Sequence, residues 1–260
     1  MIVSFQVVEL KEGVIDMGNG IKLFCIPFSG GSAEVYRKWS KSLHSDIQLF
    51  PVELPGRGKR IFEPLLDDID TIVKDITATI ASNVASNDDY AIYGHSLGSL
   101  LAFETYYKLI ENGVHKPQHI FFSGRNAPQN KHSRTSIHRL PDEQFLHAVM
   151  NYGGNTHEII ENQELLDLFL PILRADFKIS ETYCHQEKTD KIACDITIIN
   201  GRNDHSASMY DMSEWSYYAG GAATFHTVDG GHFFITENYE PVVDIIKQRL
   251  TISDEILERQ

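Results

Sequence analysis

Gly94-His95-Ser96-Leu97-Gly98 stands between two segments of different period. Before it, Tyr90-Ala91-Ile92-Tyr93 is a short apolar run of the kind that forms a buried strand. After it, Leu100, Phe103, Tyr107 and Ile110 recur at helical spacing until Gly113. A serine at such a strand-to-helix corner is held in a strained backbone conformation, and glycines two positions before and after it leave room where side chains would collide. The hydroxyl of Ser96 then stands clear of the sheet. The backbone N–H of Leu97, at the positive end of the helix dipole and without an intrahelical acceptor, faces any oxyanion formed there. The same five residues also fit a plain glycine-rich turn ahead of a helix, so their neighbours must arbitrate.

Working outward, the same arrangement recurs. Ile21 to Pro27 is a strand that runs into Phe28-Ser29-Gly30-Gly31, followed by Tyr36, Trp39 and Leu43 at helical spacing. Two glycines after a strand make an ordinary tight turn; in a serine hydrolase this loop supplies the second oxyanion N–H, which would come from Ser29. Ile47 to Leu54 is the next strand and ends in Pro55-Gly56-Arg57-Gly58. A helix with Ile69, Ile72, Val73, Ile76 and Ile80 on one stripe follows it. Beyond the helix after Ser96, three further strands are expected at His119 to Ser123, Asp195 to Asn200 and Ala223 to Val228. Phe5 to Leu10 could add an edge strand. Strands alternating with helices specify an α/β fold with a mostly parallel sheet covered on both faces.

Between the fourth and fifth of these strands the alternation stops. Residues 126–191 carry helical apolar stretches, with Phe145, Leu146 and Val149, then Leu165 to Leu173, and no convincing strand. They read as a helical lid inserted in a single domain spanning residues 1–260, at the sheet edge where open α/β folds bind ligands.

Ser96, Asp204 and His232 each follow a predicted strand on that same edge, in the chain order of α/β-hydrolases. In this reading His232 takes the proton from Ser96 as it attacks a carbonyl, and Asp204 fixes the imidazole tautomer and stabilises its charged form. Taken singly, Asp204 could be a helix or turn cap and His232 just one of 12 histidines; their common placement and order favour the catalytic reading.

Composition narrows the class. With 42% hydrophobic and 23% charged residues, the chain has the make-up of a soluble globular protein, and 23 basic against 36 acidic residues leave a net charge of −13. That balance opposes nucleic acid and anionic membrane surfaces as main partners. Cys25, Cys184 and Cys194, an odd number without CxxC spacing, read as free, buried thiols of a reducing compartment. With no apolar run of membrane-spanning length and no secretory leader pattern, a cytoplasmic location is expected. No HExxH occurs, and Pro117 separates His115 from His119, so no metal is expected. Gly56-Arg57-Gly58 is too short for a dinucleotide fingerprint, and no cofactor is implied.

Several blocks together resemble the type II thioesterases, the stand-alone enzymes that accompany nonribosomal peptide and polyketide synthases. They are Pro27-Phe28-Ser29-Gly30-Gly31, Leu54-Pro55-Gly56-Arg57-Gly58, Gly94-His95-Ser96-Leu97-Gly98, Leu140-Pro141-Asp142, Leu170-Pro171-Ile172-Leu173-Arg174-Ala175-Asp176 and Gly231-His232-Phe233-Phe234. The resemblance runs from about Leu23 to Leu250. It implies an α/β-hydrolase fold, catalysis by Ser96, Asp204 and His232, and oxyanion amides at Ser29 and Leu97. Its implied substrates are acyl groups on the phosphopantetheine arm of acyl or peptidyl carrier proteins, cleared to keep an assembly line running, with a monomer as the expected state. Thr156 stands where the family usually has proline and Ser99 where a small apolar residue is commoner, departures that could alter acyl preference.

One stretch goes beyond those blocks. From Arg125 to Arg139 the chain carries Arg125, Lys131, Arg134 and Arg139, with His132 and His138, and no acidic residue. With Lys59 and Arg60, it is expected either to receive the phosphopantetheine phosphate or an acidic carrier protein, or to be a solvated lid entrance. A general carboxylesterase or acyl-CoA hydrolase, an acyltransferase and a non-catalytic carrier-binding subunit are the rival readings; an intact triad argues against the last.

Overall fold

The computed structural model describes residues 20–130, 136–151, 153, 162–207 and 212–251. Six strands, β1 (Ile21–Ile26), β2 (Ile47–Pro51), β3 (Tyr90–His95), β4 (His119–Ser123), β5 (Asp195–Gly201) and β6 (Ala223–Val228), form one sheet in the order β2-β1-β3-β4-β5-β6. Every neighbouring pair is parallel. The candidate edge strand Phe5 to Leu10 lies outside the described residues.

Side-chain alternation divides the strands between two cores. Phe24 and Ile26 of β1, Tyr90 and Ile92 of β3, and Ile120 and Phe122 of β4 face one side. There they pack against α1 (Ile69–Asn83) and α2 (Leu97–Glu111). Leu23 and Cys25, Ala91 and Tyr93, and Phe121 face the other side. They meet Tyr36 and Trp39 of the turn-like helix Ala33–Lys41 and Val242, Val243 and Ile246 of the terminal helix Glu240–Leu250. Both faces are therefore dry, which explains why β3 and β4 are buried along their whole length.

Some expectations need correction. Ala33–Lys41 is a 3-10 helix rather than an α-helix and stops before Leu43. β2 ends at Pro51, short of Leu54. On α2, Ile110 is 42% exposed while Leu109 is fully buried, because this central helix is enclosed on most sides and its apolar periodicity does not isolate a single stripe. Cys184 is exposed, unlike Cys25 and Cys194; all three are free.

Within residues 126–191 the described elements are a 3-10 turn (Ile137–Arg139), α3 (Asp142–Met150) and α4 (Gln163–Thr182). α4 starts under an Asn162 cap, whose Oδ1 accepts from the amides of Glu164 and Leu165 at 3.0 and 3.2 Å, and continues through Pro171. Its first half leaves Leu165 and Leu168 exposed, whereas Ile172, Leu173, Ala175, Asp176 and Ile179 are buried. Among the described residues, no helix is long and apolar enough to cross a membrane.

Candidate active site

The strand order reverses direction at β1 and β3: the chain moves outward from β1 to β2, then returns to place β3 on the other side of β1. Such a switch point opens a crevice at the carboxyl ends of the strands. The Phe28–Gly31 turn leaves β1 there, and Ser96 leaves β3 beside it.

Ser96 has φ 55° and ψ −114°, and it is the one non-glycine residue with positive φ among the described residues. Its amide donates to the Ser123 carbonyl at 2.7 Å. The flanking glycines are required sterically. A Cβ on Gly94 would lie 2.1 Å from the Gly98 carbonyl oxygen, and one on Gly98 would lie 2.2 Å from that of Ile26. The buried Ser99 hydroxyl lies 2.8 and 2.7 Å from the carbonyl oxygens of Gly94 and Ser123, and it accepts from the Ser123 amide at 2.8 Å. Ser99 thus braces the corner against β4. Thr156 lies outside the described residues.

The loops after β5 and β6 are tied together by Arg202 N–H to the Val228 carbonyl at 2.7 Å and Asn203 N–H to that of Gly230 at 2.9 Å. They bring the other two candidates to Ser96. His232 Nε2 lies 3.0 Å from Ser96 Oγ, and His232 Nδ1 lies 2.8 Å from Asp204 Oδ2. Burial pushes the Asp204 carboxyl up, but hydrogen bonding and charge from His232, with hydrogen bonds from Ser206, outweigh it and leave the group below its ordinary value. An ionised Asp204 only accepts, so Nδ1 of His232 carries the proton and Nε2 is left to accept from the seryl hydroxyl. This is the geometry of an activated nucleophile with an oriented base.

Two further residues belong to this cluster. Ser206 donates its hydroxyl to Asp204 Oδ1 at 2.6 Å and its amide to the same oxygen at 2.9 Å, and its Oγ lies 2.9 Å from His232 Nδ1. His95 holds the His232 carbonyl through Nε2 at 2.9 Å. His95 sits inside the serine motif, yet its spacing gives no sign of a partner 137 positions away. Ser206 follows Asp204 by two residues, where a short side chain folding back onto an aspartate is a recognisable signal.

The Phe28–Gly31 turn is closed by the Gly31 N–H on the Phe28 carbonyl at 2.9 Å, with Gly30 at φ 80° in its third position, as a type II turn requires. The Gly30 N–H is taken by Asp176 Oδ2 at 2.7 Å. The Phe28 ring meets those of Phe233 and His95 edge-on, with centroids 5.1 and 5.9 Å apart.

Only part of the basic stretch lies within the described residues. Arg125 is buried, with Nη1 donating to Ser180 Oγ at 3.2 Å, so it is withdrawn from any carrier-facing surface. Arg60 is bound by Asp75 and Glu63, and its pKa is raised by them. His138 pairs with Glu181. Arg139 and Lys59 are exposed, while Lys131, His132 and Arg134 lie outside the described residues.

Compared with known proteins, residues 21–250 match the model of the thioesterase domain family. The linear gramicidin dehydrogenase LgrE of Brevibacillus parabrevis is 35% identical over 233 residues, 88% of each chain. The crystal structure of ClbQ from the colibactin NRPS/PKS pathway superposes with a TM-score of 0.87 at 32% identity, covering 91% of this chain and 99% of that one. YbtT, described as a type II thioesterase from the yersiniabactin NRPS/PKS pathway, gives 0.80 at 29% identity over 90% and 94%. The parallel sheet described above is thus that of an α/β-hydrolase.

Proposed function

The chain belongs to the thioesterase domain family, a family of hydrolases, and from that premise we propose that it is a type II thioesterase acting on acyl groups carried by the phosphopantetheine arm of a carrier protein. The observation that carries this reading is the placement of His232 within hydrogen-bond distance of both Ser96 and Asp204.

In this mechanism Ser96 Oγ attacks the thioester carbonyl while His232 Nε2 takes its proton. The oxyanion is received by the amides of Leu97 and Ser29; the Gly30 amide of the same turn is already committed to Asp176. Collapse of the tetrahedral species breaks the C–S bond, and the departing pantetheine sulfur, a good leaving group, takes the proton from His232 Nε2, so that the thiol leaves and the imidazole is neutral again. His232 then removes a proton from water, which attacks the acyl-enzyme and frees the acid and Ser96. The substrate brings its own phosphopantetheine, and the residues named need no further group.

Likeness to ClbQ and YbtT supports a place beside a nonribosomal peptide or polyketide assembly line; an editing role there, a carrier protein as partner, a single chain as the working unit and a cytoplasmic location complete the proposal. The dehydrogenase in the name of LgrE has no counterpart motif here, since Gly56-Arg57-Gly58 is too short to cradle a dinucleotide.

The test is single-turnover loss of acetyl from an acetyl-phosphopantetheinyl carrier protein, followed by intact-protein mass spectrometry, with acetyl-CoA as competitor. The reading expects rapid loss with the wild type, a fall of at least about 10³-fold in Ser96→Ala, and preference for the carrier. Equal use of CoA or simple esters would make the protein a general hydrolase instead.

A further inference from the structure

Asp176 lies in the buried half of α4, 119 positions from Arg57, and the two form a forked ion pair. Arg57 Nη1 lies 2.7 Å from Oδ2 and Nη2 lies 2.8 Å from Oδ1, with the side chains 3% and 0% exposed. Oδ2 also accepts the Gly30 amide at 2.7 Å, and Arg57 Nη1 donates to the Gly31 carbonyl at 3.2 Å. Three segments remote in sequence therefore converge on one turn. They are the loop after β1, the loop after β2 and α4.

Local structure in each segment serves this meeting. Gly56 and Gly58 both have positive φ, 77° and 50°, and the loop they shape turns Arg57 inward. Glu53 straps that loop to the start of the 3-10 helix, accepting from the amides of Lys59 at 3.3 Å and Ala33 at 3.0 Å. On α4, Leu173 and Asp176 are three residues apart and share a face. Leu173 packs so closely over Gly30 that a Cβ there would lie 2.6 Å from its Cδ2.

A buried ion pair is a weak source of stability, because both ions lose their hydration; what it supplies is position. The central peptide of a four-residue turn can flip between type II and type I geometry. A flip here would turn the Ser29 carbonyl oxygen toward the Asp176 carboxylate, and the repulsion between them blocks it. We propose that Asp176 and Arg57 are positioning residues for acyl transfer: by gripping the Gly30 amide and the Gly31 carbonyl they hold the Phe28–Gly31 turn in its type II form and in place beside Ser96, so that the Ser29 amide of the adjoining Phe28–Ser29 peptide is presented to the oxyanion, and they make a complete oxyanion hole conditional on α4 being seated. This rests on the serine thioesterase reading above.

The test compares wild type, Asp176→Asn and Arg57→Lys in steady-state hydrolysis of an acyl carrier and of a p-nitrophenyl ester. Alongside, affinity is measured for an alkyl trifluoromethyl ketone, to which Ser96 adds to form an oxyanion, and for a thioether analogue that forms none. Asp176→Asn should lower kcat on both substrates by about 10- to 100-fold with KM within about threefold, weaken the ketone by the same factor, and leave thioether binding unchanged. Arg57→Lys, which keeps the acceptor for Gly30, should show a smaller loss with the same pattern. Ketone affinity and kcat within about threefold of wild type, or a change confined to KM, would overturn the proposal. Near-UV circular dichroism and thermal melting report folding. If Asp176→Asn does not fold, Arg57→Lys decides, and failure of both to fold makes the pair structural and ends the proposal. A wild type that hydrolyses neither substrate, or a Ser96→Ala enzyme as active as wild type, would sink the thioesterase reading rather than this one.

Discussion

Nε2 of His95 lies 2.9 Å from the backbone carbonyl oxygen of His232, while Nδ1 of the same ring lies 2.9 Å from Ser123 Oγ. The residue next to Ser96 thus suspends the loop that carries His232. Burial, followed by the charge of His232, pushes the His95 imidazole down to about 3, so the ring is neutral: Nε2–H donates to the carbonyl and Nδ1 accepts from the Ser123 hydroxyl. Gly124 at φ 62° gives the ring room, since a Cβ there would lie 2.4 Å from Cε1.

Replacing His95 by alanine should therefore displace His232 without removing any reacting group. The expected result is a kcat lower by about 10- to 100-fold with KM little changed, and a partial recovery in His95→Gln, which can restore a donor to the carbonyl. Steady-state kinetics on a p-nitrophenyl ester is sufficient, and a wild-type kcat in His95→Ala would contradict the suspension role.

Ser206 should matter less but in the same sense. Its hydroxyl helps keep Asp204 ionised and lies beside the Nδ1 proton of His232. Ser206→Ala should lose about tenfold in kcat, the size of one hydrogen bond to a charged group. Ser206→Thr, if it folds, should recover part of it. Equal kcat in Ser206→Ala and wild type would show that Asp204 alone orients the imidazole.

Stability should fall on the acid side of neutrality. His119, whose Nε2 lies 2.8 Å from Thr197 Oγ1, is pushed down to about 4, chiefly by burial, and His95 to about 3. The ordinary histidine value is about 6.5, so below it the unfolded chain binds protons that the fold refuses, and each residue contributes a slope of up to about 1.4 kcal/mol per pH unit. Their contribution is complete above about pH 6.5 and declines as pH falls toward 4. Asp204 adds to the loss further down, because a carboxyl held low in the fold stabilises above its ordinary value and ceases to do so as pH drops through its folded value. His119→Gln, remote from Ser96, should flatten the dependence of the urea midpoint on pH between about 6.5 and 4; an unchanged slope would assign the acid loss elsewhere.

Glycine substitutions should divide by what surrounds them. A Cβ on Gly98 meets the backbone carbonyls of Ile26 and Pro27 at 2.2 and 2.8 Å, and neither can yield without moving the end of β1. Gly98→Ala should cost more than about 3 kcal/mol or prevent folding. At Gly231 nothing lies within 4 Å of the new atom, and alanine there should shift stability by less than about 0.5 kcal/mol. Thermal melting of the pair checks both, and a tolerated Gly98→Ala would contradict the close approach of α2 to β1.

Local sequence by itself determined the six strands of the sheet to within a few residues at their ends, the serine corner and the chain order of Ser96, Asp204 and His232. Periods of two and 3.6 residues, and glycines at fixed offsets, act over a few residues and are visible without a fold. His119–Ser123 and Ala223–Val228 lie where their apolar patterns place them. Tertiary structure alone decided which charged groups are used up and by whom. Arg125 reads as part of a basic surface in sequence but is buried beside Ser180, Arg60 is claimed by Asp75, and Cys184 is exposed while its two fellows are not. The pairing of Arg57 with Asp176 and the hold of His95 on His232 join positions more than a hundred residues apart. Burial and hydrogen-bond partnership depend on which segments the sheet brings side by side, and no local pattern carries that information.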